Sequence, residues 1–182
     1  MNNLKTNNLL NYFTEEELEI IKNNDDLILK AKSIVLKVFE NQKDKSGKPY
    51  INHLLRVSDR LNTECEKTAG LLHDIVEDTI VTFADLIEIG FPKEIIEIVR
   101  LVTNKKIDKT NLTKEEILKI YNDKIDSIIK SGNISAINLK EADMTDNYDL
   151  NRLKDLPKEK QEWFHEKYGK QLIKLREAKN RE

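Results

Sequence analysis

Leu71-Leu72-His73-Asp74-Ile75-Val76-Glu77-Asp78-Thr79 sets one imidazole and three carboxylates among apolar residues of the kind that build a core. At helical spacing, Ala69, Leu72, His73 and Val76 fall on one stripe, so the histidine points inward with its aliphatic neighbours. A buried polar group needs a partner, because losing water without replacing its hydrogen bond is costly. A metal ion suits these residues best. His73 and Asp74 stand about 100° apart around a helix, near enough for one cation to draw on both. Glu77 follows His73 by one turn, as Asp78 follows Asp74. A ligand pair is thus followed by a carboxylate pair able to handle a water or a leaving-group proton. The plainer alternative is a helix whose acidic end happens to follow a buried histidine.

The chain of 182 residues is long enough for one well-cored domain, and nothing marks a second, so residues 1–182 are expected to form a single domain. Charged residues make up 35%, but 31 basic and 33 acidic side chains leave a net charge of -2. That balance gives no global case for a nucleic-acid or membrane partner, so any anion site is a local concentration of charge. The single cysteine, Cys65, excludes an internal disulfide and suits a reducing compartment. Met1-Asn2-Asn3-Leu4-Lys5 lacks the apolar run of a signal peptide, and no stretch reaches the length of a membrane span. A soluble, cytoplasmic protein is the expectation, and the residues carry no signal for an oligomeric state.

Outward from the central motif the chain reads as helix after helix, predicting an all-α bundle of about eight to ten helices. Thr14 with Glu17, Thr82 with Asp85 and Thr113 with Glu116 are capping boxes. The first opens a short helix to about Asn23. Asp25 is placed to cap a second, running to near Asn41, with Leu27, Ile28, Ala31, Ile34, Val35 and Val38 on its buried face. Residues 42–48 hold no apolar side chain and read as a loop whose lysines either meet an anion or are simply solvated. Pro49 is suited to the first position of a helix, on which Tyr50, His53, Leu54 and Val57 share a face. Two inward histidines and an adjacent aspartate shift the balance toward coordination.

Beyond the motif, Gly90 stops one helix and Pro92 opens the next, with Ile95, Ile96, Ile98, Val99 and Val102 inward. A polar loop follows from Asn104 to Asn111. Thr113 begins a helix that Gly132 ends, with Ile117, Leu118, Tyr121, Ile125, Ile128 and Ile129 as core. From Ile134 to about Leu150, Lys140, Asp143 and Asn147 lie at i, i+3 and i+7 on one stripe. Taken alone these are three solvated residues. Beside His53, His73 and Asp74, Asp143 completes two imidazoles and two carboxylates. Pro157 opens a terminal cover helix to about Lys179, with Trp163, Phe164, Tyr168, Leu172, Ile173 and Leu175 available for packing, and His165 stands apart from the site.

Four segments carry a family resemblance. Gly47-Lys48-Pro49-Tyr50-Ile51-Asn52-His53, residues 69–79, Val102-Thr103 and Lys140-Glu141-Ala142-Asp143-Met144-Thr145-Asp146-Asn147 resemble, in order and spacing, the hydrolase domain of the RelA/SpoT family. That domain belongs to the all-helical HD superfamily of metal-dependent phosphohydrolases. The likeness runs from about residue 27 to 153, and the chain is similar to the small stand-alone alarmone hydrolases. The resemblance implies hydrolysis of the 3′-pyrophosphate of guanosine alarmones, (p)ppGpp, to GDP or GTP and pyrophosphate. It implies one manganese ion held by His53, His73, Asp74 and Asp143, with Glu77 and Asp78 acting on the water and Asn147 meeting the nucleotide. Mixed imidazole and carboxylate ligation suits manganese, iron or zinc alike, and only the resemblance favours manganese. Lys45 and Lys140 are placed to meet phosphate charge, with Tyr50 packing beside them.

The chain departs from the family at three places. An arginine before the lysine of the polar loop is replaced by Asp44, a histidine by Phe39, and an apolar residue by Glu141. A carboxylate cannot reproduce the stacking of a guanidinium on a base. Two other readings therefore stand beside the alarmone hydrolase: an HD-type phosphohydrolase acting on another nucleotide, and a non-catalytic nucleotide-binding module.

Overall fold

The structure, a computed structural model, describes residues 7–44, 47–105, 107–108, 110–149, 153–154 and 156–180. A 3-10 turn at Asn8–Asn11 leads into α1 (Glu15–Lys22), α2 (Leu27–Val38), α3 (Ile51–Asp59), α4 (Glu64–Leu72), α5 (Ile75–Asp78) and α6 (Phe83–Glu88). These are followed by α7 (Lys93–Val102), α8 (Lys114–Lys130), α9 (Ile134–Asn147) and α10 (Lys158–Lys179). All regular elements among the described residues are helical, and the all-α expectation holds. The one extended pairing among them is an isolated antiparallel bridge between Lys43 and Pro49.

Helix α4 is the centre. Thr68, Ala69, Gly70, Leu71 and Leu72 are all buried, the pattern of a helix surrounded by protein rather than lying on it. It packs against α2, α3, α7 and α9. Gly70 permits the approach of α3: a Cβ there would lie 2.8 Å from Leu61 Cδ1 and 3.2 Å from Ser58 Cα. A fourth capping box, Thr63 with Glu66, starts α4. Glu66 also accepts a 2.8 Å hydrogen bond from Asn138 Nδ2, which ties the start of α4 to α9. Helix α10 lies across α8 and α9, burying Phe164, Tyr168, Leu172 and Leu175 while Ile173 faces solvent.

The three expected capping boxes form as read, but several boundaries move. Asp26, not Asp25, caps α2, accepting from Leu29 N at 2.8 Å. Pro49 sits in the bridge to Lys43, and the helix begins two residues later. Ile117 and Leu118 are only half-buried. The central motif is not one helix. It breaks at His73 and Asp74, whose φ/ψ of -59/-32° and -99/-6° keep the right-handed sense while α4 ends and α5 begins.

Candidate active site

His53 projects from the first turn of α3, His73 and Asp74 from the α4–α5 junction, and Asp143 from the middle of α9. The structure brings all four together. His53 Nε2 lies 3.4 Å from Asp143 Oδ1 and 3.7 Å from Asp74 Oδ2. His73 Nε2 lies 3.0 Å from Asp74 Oδ2 and 3.7 Å from Asp143 Oδ1. One ligand atom each from His53, His73 and Asp143 falls within 4.8 Å of the other two, a possible metal site.

Both imidazoles are oriented from behind. His73 Nδ1 is 2.8 Å from the Gly70 carbonyl, which only accepts, so Nδ1 carries the proton and Nε2 presents its lone pair to the cluster. His53 Nδ1 is 2.8 Å from Asp146 Oδ2 and is fixed in the same sense. His73 Nε2 is buried and, despite its 3.0 Å approach to Asp74, lacks the alignment for a hydrogen bond. An orphaned, inward lone pair among two carboxylates and a second imidazole is a donor set that fits a divalent cation. Burial opposes a charge on His73, yet Asp74 and Asp143 outweigh it and raise its pKa well above 6.5. Loading a cation there displaces protons.

The carboxylates are held as firmly. Asp143 Oδ2 accepts from Lys140 Nζ at 2.7 Å, and Oδ1 from Asn147 Nδ2 at 2.6 Å. The stripe read in the sequence is thus a bonded unit, with Lys140 almost fully buried. Burial alone would raise the Asp143 pKa, but Lys140 and the two histidines bring it well below the usual carboxylate range. Tyr50 stacks on Phe39, with centroids 5.3 Å apart. Its hydroxyl donates to Asp74 Oδ2 at 2.6 Å and to Asp78 Oδ2 at 3.3 Å. Burial, then Asp74, pushes the phenol pKa up, so it remains a donor.

Glu77 and Asp78 stand on α5 beside the cluster. Asn104, just past the end of α7, clamps Glu77: its backbone N donates to Oε2 at 2.9 Å and its Nδ2 reaches both oxygens at 3.0 and 3.1 Å. Burial, then the charges of Asp74 and Glu77, pushes the Asp78 carboxyl up to about 6.

Two contributors escaped the sequence reading. Asp146, fully buried, accepts from His53 and from Arg56 Nε and Nη2 at 2.7 and 2.9 Å. An arginine one turn after His53 and an acid one turn after Asp143 were the available signals. Asn104 was read only as the start of a loop. Lys45, expected to meet phosphate, lies outside the described residues.

The cluster opens into a cavity of about 780 Å³, within the range of small-molecule sites. Its lining mixes polar side chains, Lys43, Asp44, Lys105, Lys124 and Asn147, with apolar ones, Ile117, Ile120, Leu156, Phe164 and Tyr168. Asp44 shapes its own loop, its Oδ1 accepting from Lys48 N at 3.0 Å. Glu141, charged where the family is apolar, faces α10 and accepts from Arg176 Nε at 2.8 Å and Lys179 Nζ at 2.7 Å. No helix among the described residues is long and apolar enough to cross a membrane.

The HD domain family matches residues 35–151. Over 135 residues the chain is 42% identical to the probable guanosine-3′,5′-bis(diphosphate) 3′-pyrophosphohydrolase of Mycoplasma pneumoniae, covering 66% of this chain and 18% of that protein. It is 35% identical over 114 residues to guanosine-3′,5′-bis(diphosphate) 3′-pyrophosphohydrolase MESH1 of Drosophila melanogaster, covering 59% of each. The chain thus spans less than a fifth of the first relative and under two thirds of the second. Among solved structures, a metazoan ortholog of SpoT, described as hydrolysing ppGpp, superposes with a TM-score of 0.62 at 24% identity, over 85% of this chain and 94% of that one. That likeness bears on the fold alone.

Proposed function

The chain belongs to the HD domain family, and from that membership we propose that it hydrolyses the 3′-pyrophosphate of guanosine alarmones, (p)ppGpp, as a single-domain enzyme using one divalent cation, manganese by preference. The observation that carries the reading is the convergence of His53, His73, Asp74 and Asp143 next to an intact Glu77–Asp78 pair, at the mouth of a nucleotide-sized cavity. The names of the relatives support the choice of substrate.

His53, His73, Asp74 and Asp143 would hold the cation, which supplies Lewis acidity toward phosphate oxygens and brings the pKa of a water toward neutrality. The water oxygen attacks the phosphorus attached to the 3′ oxygen, the P–O3′ bond breaks, and pyrophosphate departs with the new oxygen. Glu77, an acceptor held by Asn104, is placed to take the water's proton. Asp78, protonated below about pH 6, is placed to return one to the 3′ oxygen. Tyr50 ties Asp74 to Asp78 by placing its hydroxyl against an oxygen of each. Lys140 and Asn147 keep Asp143 in register where they face the substrate.

Asp44 favours a second reading, hydrolysis of another nucleotide, because its side chain is spent on the loop and offers nothing for a base to stack on. The test is pyrophosphate release from ppGpp by metal-stripped protein with manganese restored, beside a panel of other nucleotides. Manganese-dependent turnover of ppGpp well above the panel is expected. Cleavage of a different nucleotide with ppGpp untouched would transfer the function to the second reading.

A further inference from the structure

Resting on the reading of this cavity as an oligophosphate site, we propose that Lys124 of α8 is the residue that grips the terminal phosphate of the 3′-diphosphate. The lysine-rich loop expected to meet an anion reaches the same cavity through Lys43, and Lys124 adds a cation that the sequence did not single out.

Among the lysines lining it, each has a different occupation. Lys140 is almost fully buried and neutralised by Asp143 at 2.7 Å. Lys167 lies over the rings of Tyr121 and Tyr168, at 4.5 and 5.0 Å from their centroids. Lys43 and Lys105 are exposed at the rim. Lys124 is half-buried in the wall, and its Nζ donates at 2.6 Å to the carbonyl of Thr103. A carbonyl orients an ammonium without cancelling its charge. No carboxylate among the described residues pairs with Lys124, and two of its three protons remain for a ligand.

The tether also fixes where that charge stands. Thr103 holds Lys124, and the next residue, Asn104, holds Glu77. A single dipeptide at the end of α7 therefore sets the distance between a substrate-facing cation and the carboxylate that acts on the water. The metal cluster would serve the reacting phosphate, and a diphosphate carries a second, more highly charged phosphate that calls for a cation of its own. Among the lysines lining the cavity, Lys124 is the one both half-buried and fixed by a carbonyl, and so placed for it. Burial, then the neighbouring charge of Lys140, presses its pKa down against the opposing charge of Glu77, and a bound phosphate would relieve that pressure.

The experiment compares the manganese-loaded wild type with Lys124→Gln and Lys124→Arg, reading inorganic pyrophosphate binding by calorimetry and ppGpp turnover in parallel. Glutamine keeps an amide donor on a side chain one bond shorter and removes the charge. It should weaken pyrophosphate binding about 10- to 100-fold, the worth of one hydrogen bond to a charged group, with manganese content and melting temperature unchanged. Arginine should retain most of the affinity. Equal pyrophosphate affinity in wild type and Lys124→Gln, or no binding by the wild type, overturns the proposal. Lys124-dependent pyrophosphate binding by a protein that leaves ppGpp intact would sustain the role of Lys124 while removing the alarmone assignment.

Discussion

His53 Nδ1 donates to Asp146 Oδ2 across 2.8 Å, joining the first turn of α3 to the last turn of α9. Histidine and arginine hold Asp146 ionised against its burial: burial would raise its pKa, but the bonds from His53 and Arg56 bring it well below the usual carboxylate range. An ionised carboxylate only accepts, so the imidazole proton stays on Nδ1 and the Nε2 lone pair faces the cluster.

Asp146→Asn keeps the shape but offers an amide that can donate to Nδ1 and reverse the tautomer. Manganese affinity is expected to fall about 10- to 100-fold, the usual effect of losing a partner that orients a metal-bound histidine. Competition with a chelating dye measures it. Wild-type affinity would reduce Asp146 to an anchor for Arg56.

Glu77→Gln removes the acceptor that Asn104 positions, without touching the four proposed ligands. Turnover should drop about 10²- to 10⁴-fold, as expected for loss of a general acid or base, with manganese stoichiometry intact. A near-normal rate would assign Glu77 to structure.

Asp78 gives a pH signature in the metal-stripped protein. Its folded-state pKa of about 6 lies above the ordinary 3.8. The folded state therefore prefers the protonated form. Its contribution to stability is fully present below 3.8 and is lost as pH rises through about 6. Asp78→Asn should gain on the wild type in urea denaturation between pH 4 and pH 8. A constant difference across that range would mean that the carboxylate is not strained by its neighbours.

Gly70→Ala tests the closest helix approach. The added methyl would meet Leu61 Cδ1 at 2.8 Å, which can swing away, and Ser58 Cα at 3.2 Å, which is backbone. A loss of about 1–3 kcal/mol is expected, typical of overpacking, read as a lower denaturant midpoint. Undiminished stability would show that α3 and α4 separate at no cost.

Much of the fold was legible because its punctuation is local. A capping box declares itself within four residues, and Thr14, Thr82 and Thr113 all start helices as read. Thr63 with Glu66 is the same signal, overlooked beside the more conspicuous motif that follows. Errors arose where two local signals compete. Asp25 and Asp26 are equal candidates by type, and the backbone selected the second. Pro49 suits a helix start, but its pairing with Lys43 holds it in the loop.

The site divides in the same way. His53, His73, Asp74 and Asp143 announce themselves by spacing, and the sequence already grouped them. Asp146 and Asn104 act through partners far along the chain, on His53 and Glu77, and no periodicity encodes such a pairing. The interruption at His73 and Asp74 was hidden for another reason: both residues keep right-handed dihedrals, so composition gives no breaker to find.

That interruption makes the proposed cation a clasp. Its donors would come from α3, from the α4–α5 joint and from α9, so its binding free energy would also be cohesion between segments that otherwise meet only through packing and hydrogen bonds. A ligand bound only by the folded chain adds about 2.7 kcal/mol when its concentration is a hundred times its dissociation constant. The melting temperature of this chain should therefore serve as a gauge of free metal, and chelation should loosen α5 before it unfolds the helices around α4.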